Sequence, residues 1–181
     1  MIIPDANLLL SAYDAASPFH EKARRWWENC LSGTEPVGLC PVVLFAFVRI
    51  GTHPRAYENP MSIRTAGGHV AGWLRRKVCQ FIVMEEADVA QAMELLRAAG
   101  TGGDLTTEAQ IAAVALRLDA TVHTADTDFK RFEGVRLFNP VRYKIKADPA
   151  SGGPVGSRGR RTPSMGTTGQ EIEIGVTQEW H

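Results

Sequence analysis

The stretch "ATVHTADTDF", residues 120–129, decides how this chain is read. Ala120, Val122 and the β-branched Thr121 suit a buried strand, and the segment then turns acidic at Asp126 and Asp128. Like charges two residues apart repel. Either the pair is a solvated loop, or a cation offsets it. The choice depends on what else lies at the ends of neighbouring strands.

Working outward, short apolar runs alternate with helical patterns. "MIIPD" is a strand ending in an acid, and "ANLLLSAYDAA" is helical. Ser17 and Pro18 read as an N-cap and first helical position. Phe19, Ala23, Trp26, Trp27 and Cys30 follow at helical spacing on one apolar face. "PVGLC" is a second strand, "PVVLFAFVRIGT" a buried helix stopped by Pro54, and "SIRTAGGHVAGWLRRKV" a helix weakened by glycines. "QFIVM" is a third strand. "EADVAQAMELLRAAG" is an amphipathic helix ended by Gly100, and "TTEAQIAAVALRLDA" another, capped by Thr106 or Thr107. "ATVHTAD" and "GVRLFNP" supply the last two strands. The alternation predicts an α/β fold with a parallel, about five-stranded sheet flanked by helices. In such sheets ligands gather beyond the carboxyl ends of the strands, where Asp5 and Asp126 both fall.

The chain has 181 residues, 44% of them hydrophobic, which suits one domain. The domain is expected over residues 1–143. Residues 144–181 read as a disordered Gly/Pro/Ser/Thr/Arg-rich tail with little to bury. Formal net charge is zero, so no global basic field points to nucleic acid, although a local basic face stays open. Three cysteines without a CxxC pattern fit a reduced, cytoplasmic setting. "MIIPDANLLL" is a poor signal peptide, and the longest apolar run, "PVVLFAFV", falls short of the ~18 residues of a membrane span.

Five acids are candidates: Asp5, Asp104, Glu108, Asp126 and Asp128. Asp104 and Glu108 are four apart, with Asp104 read as loop and Glu108 as a first-turn acid favoured by the helix dipole. Each has an ordinary role too, since an aspartate at a strand end is most often a turn residue or cap. Together they occupy three separate junctions. A hard divalent cation such as Mg²⁺ or Mn²⁺ stabilises such a cluster and serves phosphoryl chemistry without a protein nucleophile. There is no GxSxG motif, and the five histidines lack zinc-ligand spacing. "GGHVAG" and "GTGG" match no phosphate loop and read as close packing and a loop. Trp26, Trp27 and Trp73 read as core. Asn7 is either a hydrogen-bond donor supporting Asp5 or simply an early helical residue. Spacing alone leaves the site and loop readings evenly matched.

The segments "IIPDANLLLSAYD", "GGDLTTEAQIAAVAL" and "TADTDFKRFEGVRLFNP" resemble the PIN-domain ribonucleases, specifically the VapC-type toxins of toxin–antitoxin pairs. "SPFHEKARRWWE" and "VVLFAFVRI" fit one branch of that family. The resemblance covers about residues 1–141. It implies a PIN-like parallel sheet with an acidic metal site at its carboxyl edge, binding Mg²⁺ or Mn²⁺ and cleaving single-stranded or loop RNA, often tRNA or rRNA. It also implies a cognate antitoxin that blocks the site, and a homodimer. By position, Asp5, Glu108 and Asp126 match the catalytic acids, and Asp128 partners Asp126. Aspartate is the usual residue at the place of Glu108. Many members carry a glutamate where this chain has Ala46, and Asp104 is a candidate to compensate. Arg49 is a candidate phosphate contact or a partner for a carboxylate, and Arg24, Arg25, Arg55, Arg75, Arg76 and Lys77 are candidate phosphate contacts that read equally as ordinary solvated surface. Two other readings stand beside this one: a catalytically weak PIN-like RNA- or protein-binding module, and a receiver-like phosphorylation switch. The second lacks the lysine it needs near "TVHTAD".

Overall fold

The computed structural model describes residues 1–142. The expected tail, 144–181, lies outside the described residues. Five short strands, β1 (Ile2–Pro4), β2 (Val37–Leu39), β3 (Cys79–Phe81), β4 (Thr121–His123) and β5 (Arg136–Phe138), form one sheet. All four strand pairings are parallel and the order is β3-β2-β1-β4-β5. Six helices connect them: α1 (Ala6–Tyr13), α2 (His20–Ser32), α3 (Pro41–Gly51), α4 (Ile63–Leu74), α5 (Glu86–Ala99) and α6 (Leu105–Arg117).

The order places β1 centrally. The chain first builds outward on one side through β2 and β3, then returns to build β4 and β5 on the other. The reversal falls between β1 and β4, which makes their carboxyl ends the topological switch point. Register there is set by Ile3 opposite Val122, both fully buried. A slip of β4 by one residue would move Val122 to the opposite face of the sheet, out of step with Ile3. Helix α6 is buried over Ile111–Ala115 and packs on α5, α3 and β4. That burial fixes where its first turn points.

Element boundaries differ from the sequence reading in physically instructive ways. Helix α2 starts at His20, because Ser17 closes a turn instead: its Oγ accepts from the Phe19 N–H and its carbonyl from the His20 N–H. Phe19 is therefore outside the helix and exposed, while Ala23, Trp26, Trp27 and Cys30 do form the buried face. Strand β3 ends at Phe81 rather than Met84, and Val83 turns into solvent. Gly67 and Gly68 have nothing near enough to need a missing side chain, so they are not packing glycines. The GTGG stretch is a loop, as expected, with Gly100 (φ 71°) closing α5 and Gly103 (φ 58°) turning into α6. Both have left-handed backbones that favour glycine.

The three tryptophans of the core sit as read. Trp27 and Trp73 meet edge to face, and Phe47 lies against Trp73 at 4.8 Å between ring centres. The Trp73 indole N–H donates to the Tyr13 hydroxyl, so the cluster leaves that polar atom satisfied.

Candidate active site

Asp5 follows β1 and occupies the N-cap position of α1, with extended backbone at φ −86° and ψ 149°. An aspartate there ordinarily caps the helix. Its carboxylate makes no capping bond. Instead its Oδ2 accepts from the Thr124 hydroxyl at 2.7 Å. Its backbone N–H donates to the His123 carbonyl at 2.9 Å, extending the β1–β4 ladder by one bond.

Thr124, 2% exposed, is the residue around which the site is built. Its one oxygen donates to Asp5 and accepts from the Asp126 N–H at 2.9 Å and from Asn7 Nδ2 at 3.2 Å. Asn7 in turn accepts from the Ala125 N–H at 3.4 Å. Asn7 therefore does not donate its side chain to Asp5. It acts one bond removed, clamping the loop after β4 to the first turn of α1. Asp126 Oδ1 accepts from the Asp128 N–H at 2.9 Å, the local turn that aspartate favours. The 3₁₀ turn that follows, Asp128–Arg131, is pinned by Phe129, which is fully buried.

From the other side, α6 starts at Leu105, two residues before Thr107, so neither Thr106 nor Thr107 is the cap. Asp104 holds that position without a capping bond, exposed, with Glu108 in the first turn. The two acids thus share a helix face. Glu108 is half-buried, and its Oε2 is shut from solvent with no hydrogen-bond partner. An unpartnered buried carboxylate oxygen is costly.

Asp5, Asp104, Glu108 and Asp126 line one cavity of about 330 Å³, together with Asn7, Ala46 and Arg49. Burial pushes the Asp5 carboxyl above its ordinary pKa, and the Asp126 charge adds to this, while the Thr124 bond and the nearby Asn7 and Ala6 N–H groups, though they form no capping bond, work the other way. Glu108 is raised as well, by burial first and then by the charges of Asp5, Asp126 and Asp128. Asp128 itself is exposed and does not line the cavity; it reaches the site through its N–H to Asp126 and its charge on Glu108. Among the described residues no three His, Cys, Asp or Glu side chains are arranged as a ready-made metal cluster. The acids face a common space without being drawn together.

Arg49 lines the cavity and has no ion-pair partner among the described residues. Ala46, 8% exposed, puts a methyl group on the wall where an acid could have reached in. Of the remaining basic candidates, Arg24 is tied to Glu21 and Glu28. Arg25 lines a larger, mainly apolar cavity of about 460 Å³ beside Trp26 and His123, which contains none of the five acids. Sequence reasoning passed over Thr124 altogether. The signal was its place two residues before Asp126, where a hydroxyl can accept the acid's own N–H.

A parallel sheet of order 3-2-1-4-5, with acids lining one cavity at its switch point, has the architecture of a PIN-type α/β domain. Residues 2–135 match the PIN domain family. The chain belongs to that family, in its VapC ribonuclease branch. It is 37% identical over 142 residues to Ribonuclease VapC33 of Mycobacterium tuberculosis, covering 78% of this chain and 99% of the relative. With Ribonuclease VapC37 of the same species it is also 37% identical over 142 residues, covering 77% and 97%. Its fold is similar to that of M. tuberculosis VapC20, described as a sarcin-ricin loop cleaving toxin, with TM-score 0.57, 22% identity and coverage of 75% and 99%. VapBC2 from Rickettsia felis, bound to a fragment of its promoter DNA, gives TM-score 0.56 at 18% identity, covering 77% and 98%.

Proposed function

We propose that this chain is the RNA-cleaving toxin of a toxin–antitoxin pair, an endoribonuclease dependent on Mg²⁺ or Mn²⁺. The observation that carries the reading is Glu108, which has one buried, unpartnered carboxylate oxygen and lines a single cavity together with Asp5 and Asp126. Such a set of acids is unstable by itself and fits a divalent cation, which accepts oxygen ligands of this kind. Asp5, Glu108 and Asp126 would hold the ion, with Asp104 and Asp128 in support. When bound, it supplies positive charge that offsets charge developing at phosphorus and makes water a better nucleophile.

The protein's own residues do the rest. Thr124 and Asn7 hold Asp5 and Asp126 in mutual register. Glu108, whose carboxyl is raised above its ordinary pKa by burial and then by the charges of Asp5, Asp126 and Asp128, would have its charged form favoured by a bound cation. Arg49 brings an uncommitted guanidinium to a phosphate. Water, rather than the RNA 2′-hydroxyl, would attack phosphorus and the P–O3′ bond would break, so the products should carry 5′-phosphate and 3′-hydroxyl ends. The preferred substrate is a single-stranded loop of tRNA or rRNA, because A-form duplex hides base edges in a narrow groove. Binding should weaken with salt as phosphate contacts release counterions.

Partners follow from the same reading. An antitoxin is the expected partner, in line with the VapBC structures among its structural neighbours; that it covers the cavity, and that two copies pair as a homodimer, belong to the same proposal. No helix among the described residues is long and apolar enough to cross a membrane; action in the cytoplasm is part of the proposal.

A second reading is favoured by Ala46. With one acid fewer, the site would bind metal weakly and the domain would act as an RNA- or protein-binding module. Wild type and Asp5→Ala, freed of antitoxin, separate the two on total cellular RNA with Mg²⁺, with Mn²⁺ and with EDTA. Cleavage by wild type alone, abolished by EDTA, is the expected result. Cleavage surviving both the substitution and the chelator would refute the proposed site, and no cleavage by wild type would favour the binding module.

A further inference from the structure

Beside the acid cavity lies a second one of about 510 Å³, lined by Val42, Phe45, Ala46, Val48, Arg49 and Thr107. The two share Ala46, Arg49 and Thr107 on their walls, so they adjoin. The second is mainly apolar, and its dominant feature is Phe45 on α3, 73% exposed, the most exposed large hydrophobic side chain among the described residues. Its neighbours Val42 and Val48 are half-buried. The patch is therefore one open aromatic ring with tucked-in flanks. Arg49, one helical turn on at i+4, ends it with a positive charge.

We propose that Phe45 is a stacking platform for an unpaired nucleobase next to the scissile phosphate, and so helps decide where the RNA is cut. The inference rests on the ribonuclease reading above and adds a substrate contact to it. A single exposed ring matches one flat base, whereas docking of a partner helix requires an apolar stripe extending over several turns. On α3 that stripe stops at Arg49. Because Arg49 borders both cavities, the guanidinium can meet the phosphate that joins a base on Phe45 to the phosphodiester at the acids. Stacking on an aromatic side chain tolerates any base. Phe45 should thus govern affinity and the position of the cut rather than base identity.

The test uses the full chain carrying Asp126→Asn to block cleavage, with Mg²⁺. The probe is a short unstructured RNA with 2-aminopurine at successive positions, whose fluorescence is quenched by stacking. Quenching at one position is expected with Phe45, and its loss with Phe45→Ala. Affinity should fall roughly 5- to 150-fold, the fold-change of a stacking contact of about 1–3 kcal/mol. Phe45→Trp should bind as well as the parent, and Phe45→Leu should resemble Phe45→Ala. Equal binding by Phe45 and Ala, or full rescue by Leu, would overturn the platform. So would a change in oligomeric state with Phe45→Ala at unchanged RNA affinity, which would make the ring a protein contact. If those results came from a chain whose Asp126 form cleaves RNA, only this inference would fail. If the parent neither binds nor cleaves RNA, the functional reading fails with it.

Discussion

Two groups of acids in this molecule are built in opposite ways. Asp88, on α5, is 1% exposed yet fully partnered. Its Oδ1 accepts from Arg117 Nε at 2.8 Å and its Oδ2 from the Glu85 N–H at 2.8 Å. The same Arg117 reaches Glu85 Oε1 and the Val83 carbonyl, tying the end of α6 to the start of α5. Burial alone would raise the Asp88 pKa, but the Arg117 bond, the Glu85 N–H and the guanidinium charge together hold it below the ordinary carboxylate range. At the switch point, Asp5 and Glu108 are held above that range, and one Glu108 oxygen has no partner. One acid group came with its cation and the other did not. The first is structural, and the second is shaped for something supplied from outside.

The two groups should show opposite pH signatures. A depressed pKa stabilises the fold above the ordinary carboxylate pKa, and that contribution is lost as pH falls through the lower folded value. For raised pKa values the sign reverses. The metal-free domain gains from Asp5 and Glu108 at low pH and loses that gain as pH rises through their raised folded values.

The largest effect should come from breaking the partnered group. Arg117→Met leaves Asp88 buried without its cation, and should cost about 3 kcal/mol of unfolding free energy, the low end for a broken buried pair because Arg117 is partly exposed. Urea denaturation at pH 7 measures it, and the deficit should shrink in strong acid, as Asp88 protonates in both forms. An unchanged midpoint would show that the pair is ornamental.

Next comes the unpartnered group. Asp5→Asn should lower RNA cleavage by at least ~100-fold, since loss of a residue that merely supports a metal ligand already costs ~10–100-fold. In EDTA at neutral pH the same substitution should raise the melting temperature, because it removes a desolvated charge. A lower melting temperature there would contradict the assigned electrostatics.

Thr124→Val keeps shape and removes the shared hydroxyl. It should cost roughly 1–3 kcal/mol in stability, as buried partners are left unsatisfied, and weaken metal binding ~10-fold or more. Thermal melts paired with Mn²⁺ titration would register both, and metal affinity equal to wild type would deny Thr124 its positioning role. The smallest effect is expected from Ala46→Glu. Its side chain would extend into the acid cavity, and a gain of a few-fold in Mn²⁺ affinity, up to ~10-fold, is predicted. A loss would mean the wall cannot accept an acid.

Much of this was legible in the chain itself. The strand–helix alternation and the acids after β1 and β4 follow from local patterns, and Gly100 marks the end of α5 as read. Packing decided the rest. Arg117 and Asp88 lie 29 residues apart, and nothing in either neighbourhood announces their pairing. Thr124 read as one residue within the strand "ATVHTAD", because its function comes from three partners brought in by β1, α1 and the loop after β4. The start of α6 at Leu105 was hidden by two threonines that resemble caps. Ser17 resembled a cap as well and instead closes a turn.

The central claim is that Asp5, Glu108 and Asp126 form one cation site whose counter-charge comes from outside the chain. Calorimetric titration of wild type and Asp126→Asn with Mn²⁺, across a range of pH, tests it most directly. The account predicts a single class of site in wild type and affinity that rises with pH as Asp5 and Glu108 give up protons. It predicts ~10-fold or greater weakening in Asp126→Asn. Equal binding by the two proteins, or affinity independent of pH, would contradict it.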